Sequence, residues 1–240
     1  NRKPARGGKT ADSVQDIKNN AMSNFATQNR LVTRDDYIIR CYSMPAKFGS
    51  VSKAYMVPDD QLSQGQMEDT RIPNPLAMNL YTLGFDNAGK LTVLNEAIKT
   101  NLKNYLGFYR ILTDAINILD AFIVNIGVEF EITVNTNFNS NEVLLNCIDK
   151  LKNYFLIDKW QINQSIVMSE VLNLLGKVSG VNSIIDVTFV NLFDTAKGYS
   201  GNVYDLNSAA RQGVIYPPLD PSIFEVKFPN VDIKGRVVNY

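Results

Sequence analysis

The sequence predicts an α+β fold: two small lobes with amphipathic helices packed on short mixed sheets, plus an extended C-terminal arm. Three observations lead there. Apolar residues recur at helical spacing in TVLNEAIKTNLKNYL (92–106) and NSNEVLLNCIDKLKNYF (139–155). They alternate strictly in IGVEFEITV (126–134), where Ile126, Val128, Phe130, Ile132 and Val134 share one face and Glu129, Glu131 and Thr133 the other. A helix–glycine–strand order occurs twice, around Gly49 and around Gly180, as a weak architectural repeat. Helices lying over one face of a sheet are the simplest arrangement of such elements.

In chain order, residues 1–30 read as a linker and lead-in helix. Arg2, Lys3, Arg6 and Lys9 come without an acid, and a polar helix is expected over Ala11–Ala26. The first lobe spans 31–112. In NRLVTRDDYIIRCYSMPAKFGSVSKAYM (29–56), Thr33 is placed to cap a helix whose first turn holds Asp35 and Asp36, where the helix dipole favours acids. Tyr37, Ile38, Cys41 and Tyr42 form its apolar stripe. Pro45 ends it, Gly49 permits a turn, and Val51, Tyr55 and Val57 begin a strand. Residues 58–75 are polar and proline-rich, a loop either mobile or used for contact. A strand over Leu76–Leu83 and the helix 92–106, with Val93, Leu94, Ala97, Ile98, Leu102, Tyr105 and Leu106 inward, complete the lobe.

The second lobe spans 113–192. A strand pair, Ala115–Leu119 and Phe122–Val134, leads to the helix 139–155, with Asn139 and Glu142 spaced as a capping box. After Trp160 and Ile162, MSEVLNLLGKVSGVNSIIDVTFV supplies a further helix, Gly180 and a strand over Ser183–Val190. Residues 193–240 form the arm, rich in glycine, proline and aromatic residues. Its aromatics either fold back on the second lobe or pack on a neighbouring subunit, as aromatic side chains on extended segments do well. Tyr199, Tyr204, Tyr216, Pro217, Pro218, Phe224 and Phe228 are the candidate partner contacts.

Chemistry is excluded more than indicated. The chain has no histidine, which removes Ser-His-Asp and Cys-His catalysis and the usual zinc sites. Glu129 and Glu131 are the best carboxylate pair, and the bland reading is a solvated strand face. GGKT (7–10) lacks the upstream glycine of a phosphate-binding loop, Lys3 standing in its place, and no apolar strand precedes it. Cys41 and Cys147 fall on apolar helix faces and read as buried free thiols. Twenty-four basic residues balance 24 acidic ones, so no net field draws the chain to nucleic acid or to an anionic membrane. The longest apolar run, near Ala121–Ile126, is too short to span a bilayer. The basic, polar start shows no secretory leader, and the opening Asn1 suggests a fragment of a longer protein.

The order of four segments resembles the baseplate J-like family, the wedge proteins of contractile-tailed phage baseplates and related injection machines. They are RGGKTADSVQDIKNNA, TQNRLVTRDDYIIRCYSMPAKFGSVSKAYM, YRILTDAINILDAFIVNIGVEFEITV and SEVLNLLGKVSGVNSIIDVTF. Arg30, Val32, Thr33, Asp36 and Tyr37 fall in the family's pattern. The insertion at 58–75 and the long C-terminal segment depart from its simpler members. The resemblance implies a virion structural protein of the tail baseplate, assembled in the host cytoplasm. It pairs with itself, binds other wedge and hub-proximal subunits, and brings no cofactor, metal or catalytic residue. A ring of this kind would change diameter between rigid bodies, with joints expected before Ala11, at Gly107–Thr113 and after Asn191. Of these the junction is expected to be locked by Phe108, Tyr109, Ile111 and Leu112. Two other classes stand beside this reading: a receptor-binding or adhesin module using the tyrosine-rich tail, and a carboxylate-based cell-wall hydrolase.

Overall fold

A computed structural model describes residues 14, 18, 21, 30–58, 77–111 and 114–238. Residues 14, 18 and 21 are helical. The remainder of residues 1–29, residues 59–76 with the polar insertion and Leu76, Leu112, Thr113, Asn239 and Tyr240 lie outside the described residues. The fold is α+β, in two compact units that divide between Ala121 and Phe122.

In the first unit, helix α1 (Arg34–Tyr42) begins with a full capping box. Thr33 Oγ1 accepts from the Asp36 N–H at 3.2 Å, and Asp36 Oδ2 accepts from the Thr33 N–H at 2.8 Å. These bonds, with those from the Val32 N–H, hold the Asp36 carboxyl below its usual range even though partial burial opposes the shift. The chain turns through Ala46–Phe48 and Gly49, whose φ of 115° suits glycine. Strand β1 (Lys53–Pro58) follows and pairs antiparallel with β2 (Ala77–Phe85). Strand β3 (Leu91–Thr92) extends the end of β2, and helix α2 (Glu96–Gly107) starts at an Asn95 cap. Strand β4 (Ala115–Asp120) lies parallel along the other edge of β2. The core under these elements gathers Leu31, Tyr37, Cys41, Met56, Leu80, Leu102, Leu106 and Ile116. Each Leu buried there contributes about 1.5–3 kcal/mol, against about 1 kcal/mol for a helix cap. The apolar stripes therefore outweigh the caps. Val93 and Ala97, expected to face inward, lie at the surface; Val93 precedes the helix, which begins only at Glu96, and Ala97 is on its outer face.

In the second unit everything is arranged on β5 (Phe122–Val134). Helix α3 (Ser140–Tyr154) is capped by Asn139, whose Oδ1 accepts from the Asn141 N–H at 3.0 Å, and buries Val143, Cys147 and Leu151. Trp160 stacks on Phe155 at 5.5 Å and donates from its indole to the Tyr154 carbonyl at 3.1 Å. The two-residue strand β6 (Ile166–Val167) leads into α4 (Met168–Gly176). Gly180, at φ 97°, turns the chain into β7 (Val181–Asn191), which pairs antiparallel with β5. A Cβ at Gly180 would also meet Val143 Cγ2 at 2.7 Å and Phe138 Cγ at 2.8 Å.

The C-terminal segment is not an arm. After the short helix α5 (Leu206–Ala209), strands β8 (Ala210–Arg211) and β9 (Val214–Ile215) join β6 in a small sheet. Strand β10 (Ser222–Glu225) then pairs in parallel with Phe122–Asn125. The short helix α6 (Pro229–Asp232) intervenes, and β11 (Ile233–Val237) pairs in parallel with Val128–Ile132. Both large sheets are thus mixed. A second correction concerns β4. Expected to pair with β5 in the second lobe, it pairs instead with β2 in the first unit. Tyr109, expected at a junction between lobes, packs within the first unit beneath the Arg40 guanidinium, 4.1 Å from its ring centre.

Gly235 shows how tightly the tail is held. A Cβ there would collide with the Phe130 ring and come within 2.6 Å of Leu144 Cδ1, side chains of β5 and α3. The Gly235→Ala variant is expected to lose about 1–3 kcal/mol by overpacking. Urea unfolding followed by Trp160 fluorescence measures this loss, and an unchanged midpoint would show that β11 is not locked between β5 and α3.

Candidate interaction surface

The carboxylate pair of β5 is occupied. In the parallel register Glu129 lies opposite Lys234 and Glu131 opposite Arg236. Lys234 Nζ donates to Glu129 Oε1 at 3.4 Å, and the Arg236 guanidinium binds Glu131 Oε1. These are cross-strand ion pairs on an open face, each expected to contribute less than about 1 kcal/mol. Among the described residues, no three metal-ligating groups gather, and no helix is long and apolar enough to cross a membrane. Burial pushes the Cys41 thiol up strongly and the Cys147 thiol up to about 11, so neither is a ready nucleophile.

What the second unit offers instead is shape. Where β7 ends beside α6, a groove of about 460 Å³ is lined by Val190, Leu192, Phe193, Tyr199 and Val231, with Glu129, Asp194, Lys197 and Lys234 around it. Phe193 is 52% exposed and Val231 62%, so apolar surface lies open beside the groove. The charges around it are matched, since Lys197 pairs with Asp194 at 3.3 Å and Lys234 with Glu129.

The candidate contact residues divide into groups. Tyr199 and Phe228 meet edge to face at 5.5 Å, and Tyr199 lines the groove. The Tyr199 hydroxyl donates to Asp232 Oδ1 at 2.6 Å, while Asp232 Oδ2 accepts from the Phe228 N–H at 2.7 Å. Tyr204 and Tyr216 are joined elsewhere by a bond from the Tyr204 hydroxyl to the Tyr216 carbonyl at 2.8 Å. Tyr216 is exposed, with Pro217 and Pro218 half-buried after it. Phe224 is a correction: at 1% exposure it is a core residue of β10 and has no surface to present.

The residue that sequence reading passed over is Asn125. It is fully buried in β5, yet every polar atom of its side chain is bonded. Its Nδ2 donates to Glu225 Oε2 at 2.8 Å, and its Oδ1 accepts from the Ser200 N–H at 2.6 Å. Its carbonyl accepts from the Leu192 N–H at 2.9 Å and from Asn191 Nδ2 at 3.0 Å. A lone asparagine inside the apolar run FIVNIGV was the available signal.

No family model matches the chain, and no curated protein matches it. Among solved structures, it is similar to a chain in the cryo-EM structure of the anti-feeding prophage (AFP) baseplate, 6-fold symmetrised. The TM-score is 0.55 at 9% identity, over 89% of this chain and 42% of that one. The two share a fold, and this chain spans less than half the length of its structural neighbour.

The Tyr199–Asp232 bond makes the groove's stability measurable. Desolvation, and then the nearby Asp232 carboxylate, push the Tyr199 hydroxyl up to about 12. A pKa raised on folding adds stability that is complete below the unfolded value near 10 and is lost as pH rises toward 12. Tyr199→Phe should therefore cost about 1–3 kcal/mol at neutral pH by leaving buried Asp232 short of a donor. The gap between variant and parent should close as pH climbs through that window. A thermal-unfolding series from pH 8 to 12 with a constant gap would contradict this account.

Proposed function

We propose that this chain is a structural subunit of a contractile phage-type tail baseplate. In this reading it joins wedges in a ring around the hub and transmits the rearrangement that triggers sheath contraction. The observation that carries the proposal is the fold shared with a baseplate chain across 89% of the present sequence. The sequence resemblance to the baseplate J-like family, and within it to the C-terminal part of the T4-type wedge protein, points the same way. The site is one of surfaces: an open apolar groove, paired surface charges and buried thiols suit holding and docking.

On this reading the chain acts in the virion tail after assembly in the host cytoplasm. Its partners are a second copy of itself, other wedge subunits and hub-proximal subunits. Tyr199, Tyr216 and Phe228, which keep exposed or half-buried surface, are the proposed contact residues. A two-fold pair is the simplest closed assembly, because one self-complementary patch suffices.

Two measurements test the proposal. Light scattering of the isolated chain at about 10–100 μM should show a dimer, a range suited to weak contacts, and a strict monomer would remove self-pairing from the reading. Removing the gene from a producing strain should leave tubes and sheaths without baseplates. Contractile particles of normal form would overturn the structural role itself.

A further inference from the structure

Accepting an added strand requires a sheet edge whose outward amides and carbonyls are not already used. In the first unit the register shows which groups these are. The Ala121 N–H donates to the Thr82 carbonyl at 3.4 Å, and β4 pairs residue for residue with β2 through Thr82 opposite Asp120. Backbone groups alternate between the two sides of a strand, so Ala115, Asn117 and Leu119 turn toward β2. Ile116, Ile118 and Asp120 therefore turn their amides and carbonyls to the other edge. Among the described residues no strand lies there.

The other long edges carry guards. On β1 the outward N–H of Ala54 donates to the Tyr42 hydroxyl at 3.1 Å, and Pro58 has no N–H to offer. On β7 the Val187 N–H is taken by Asp186 Oδ1 at 2.8 Å, next to an irregularity in the pairing at Glu131/Ile132. No described side chain caps the Ile116 or Ile118 amides of β4. At the end of this edge Asp120 Oδ2 is bound by Lys99 at 2.7 Å, but Asp120 Oδ1 is buried with no hydrogen-bond partner.

Beside the start of the same edge lies a groove of about 650 Å³, formed by the end of α2 and the first residues of β4. Lys103 and Arg110 line it with Asn104, Phe108 and Asn117; no acid is among the described lining residues, and the Arg110 guanidinium donates to the main-chain carbonyl of neighbouring Asp114. Phe108 is 83% exposed, and a Cβ at Gly107 would meet nothing within 4 Å, so there is room for a neighbouring chain. We propose that β4 accepts an extended segment of a partner protein as an added strand, with acidic side chains beside Lys103 and Arg110 and an apolar one on Phe108. Main-chain bonds to Ile116 and Ile118 would supply affinity, and the positive groove would select the partner. This goes beyond the baseplate reading and does not depend on it.

The test uses the full chain and a fluorescein-labelled octapeptide alternating valine and glutamate, with a valine–lysine peptide as control. The glutamate peptide should bind saturably by anisotropy. It should also slow amide exchange at Ile116 and Ile118 while leaving Met56 and Phe189 unchanged. Lys103→Glu should weaken binding about twofold to fivefold with an unchanged melting temperature. The proposal is overturned if the lysine peptide binds as well, if the Lys103→Glu variant binds normally, or if no binding saturates below about 1 mM. Protection of the Ile116 and Ile118 amides in the free chain would overturn it too, by showing the edge already occupied.

Discussion

Asn125 is where four segments of the second unit are tied together. Its side chain and carbonyl hold β10 through Glu225, the end of β7 through Asn191 and Leu192, and the following loop through Ser200. Asn125 and Glu225 are themselves buried, where each unpaired polar group costs about 1–3 kcal/mol. An apolar residue in place of Asn125 would strand the Ser200 amide and take a donor from buried Glu225. The side-chain amide thus acts as a condition on topology: it is satisfied only when both β10 and the loop at Ser200 are in place. Ser200 Oγ and Asn202 Nδ2 add bonds to the nearby Ile123 carbonyl, at 2.6 and 2.9 Å, so the loop is fixed at both Ser200 and Asn202.

Fixing the tail in this way decides which of its residues can meet anything else. Phe224, Ile223 and Val226 disappear into the core, as do Ser222 and Glu225. What stays at the surface comes from the connections between strands, including Phe193, Val203, Tyr216, Leu219 and Val231. The candidate surface is therefore a by-product of the strand pairing, carried on loops that the sheet holds in place.

Local order was legible in the sequence, and partnership was not. The Thr33 cap, the stop at Pro45, the inward face of β5 and the stripe Val143, Cys147, Leu151 all follow from residue type and spacing, and all are present. The assignment of β4 failed because its alternation says that it is a strand and not which strand it joins. Its partner β2 lies 38 residues earlier in register, Ala77 against Ala115, and a parallel pair needs no turn that could announce it. The tail failed for a related reason. Ser222–Glu225 and Ile233–Val237 are short strands divided by the Pro229–Asp232 turn, too brief for periodicity to register. Of the contact residues, Phe224 was misjudged because an exposed and a buried aromatic look alike until the pairing is known.

The two units handle their strand edges in opposite ways, and this bears on how each can meet a partner. In the second unit β5 is enclosed on both sides, by β7 on one edge and by β10 and β11 in succession on the other. Its new edges are short or interrupted, and that of β7 is interrupted by Asp186 on the Val187 amide. Such a unit meets partners through faces and grooves, where side chains govern recognition and main-chain groups contribute little. In the first unit β2 is enclosed by β1 and β4; a side chain guards the outward edge of β1, while on β4 side chains bind only at the two ends, Asp114 and Asp120, and no described side chain caps the Ile116 or Ile118 amide. An unguarded edge is an aggregation hazard, and sequences commonly suppress it with prolines, lysines or bulges. Ala115–Asp120 contains none of these devices. A single docking partner would account for an edge left in that state, since it would hide the hazard that an open strand presents.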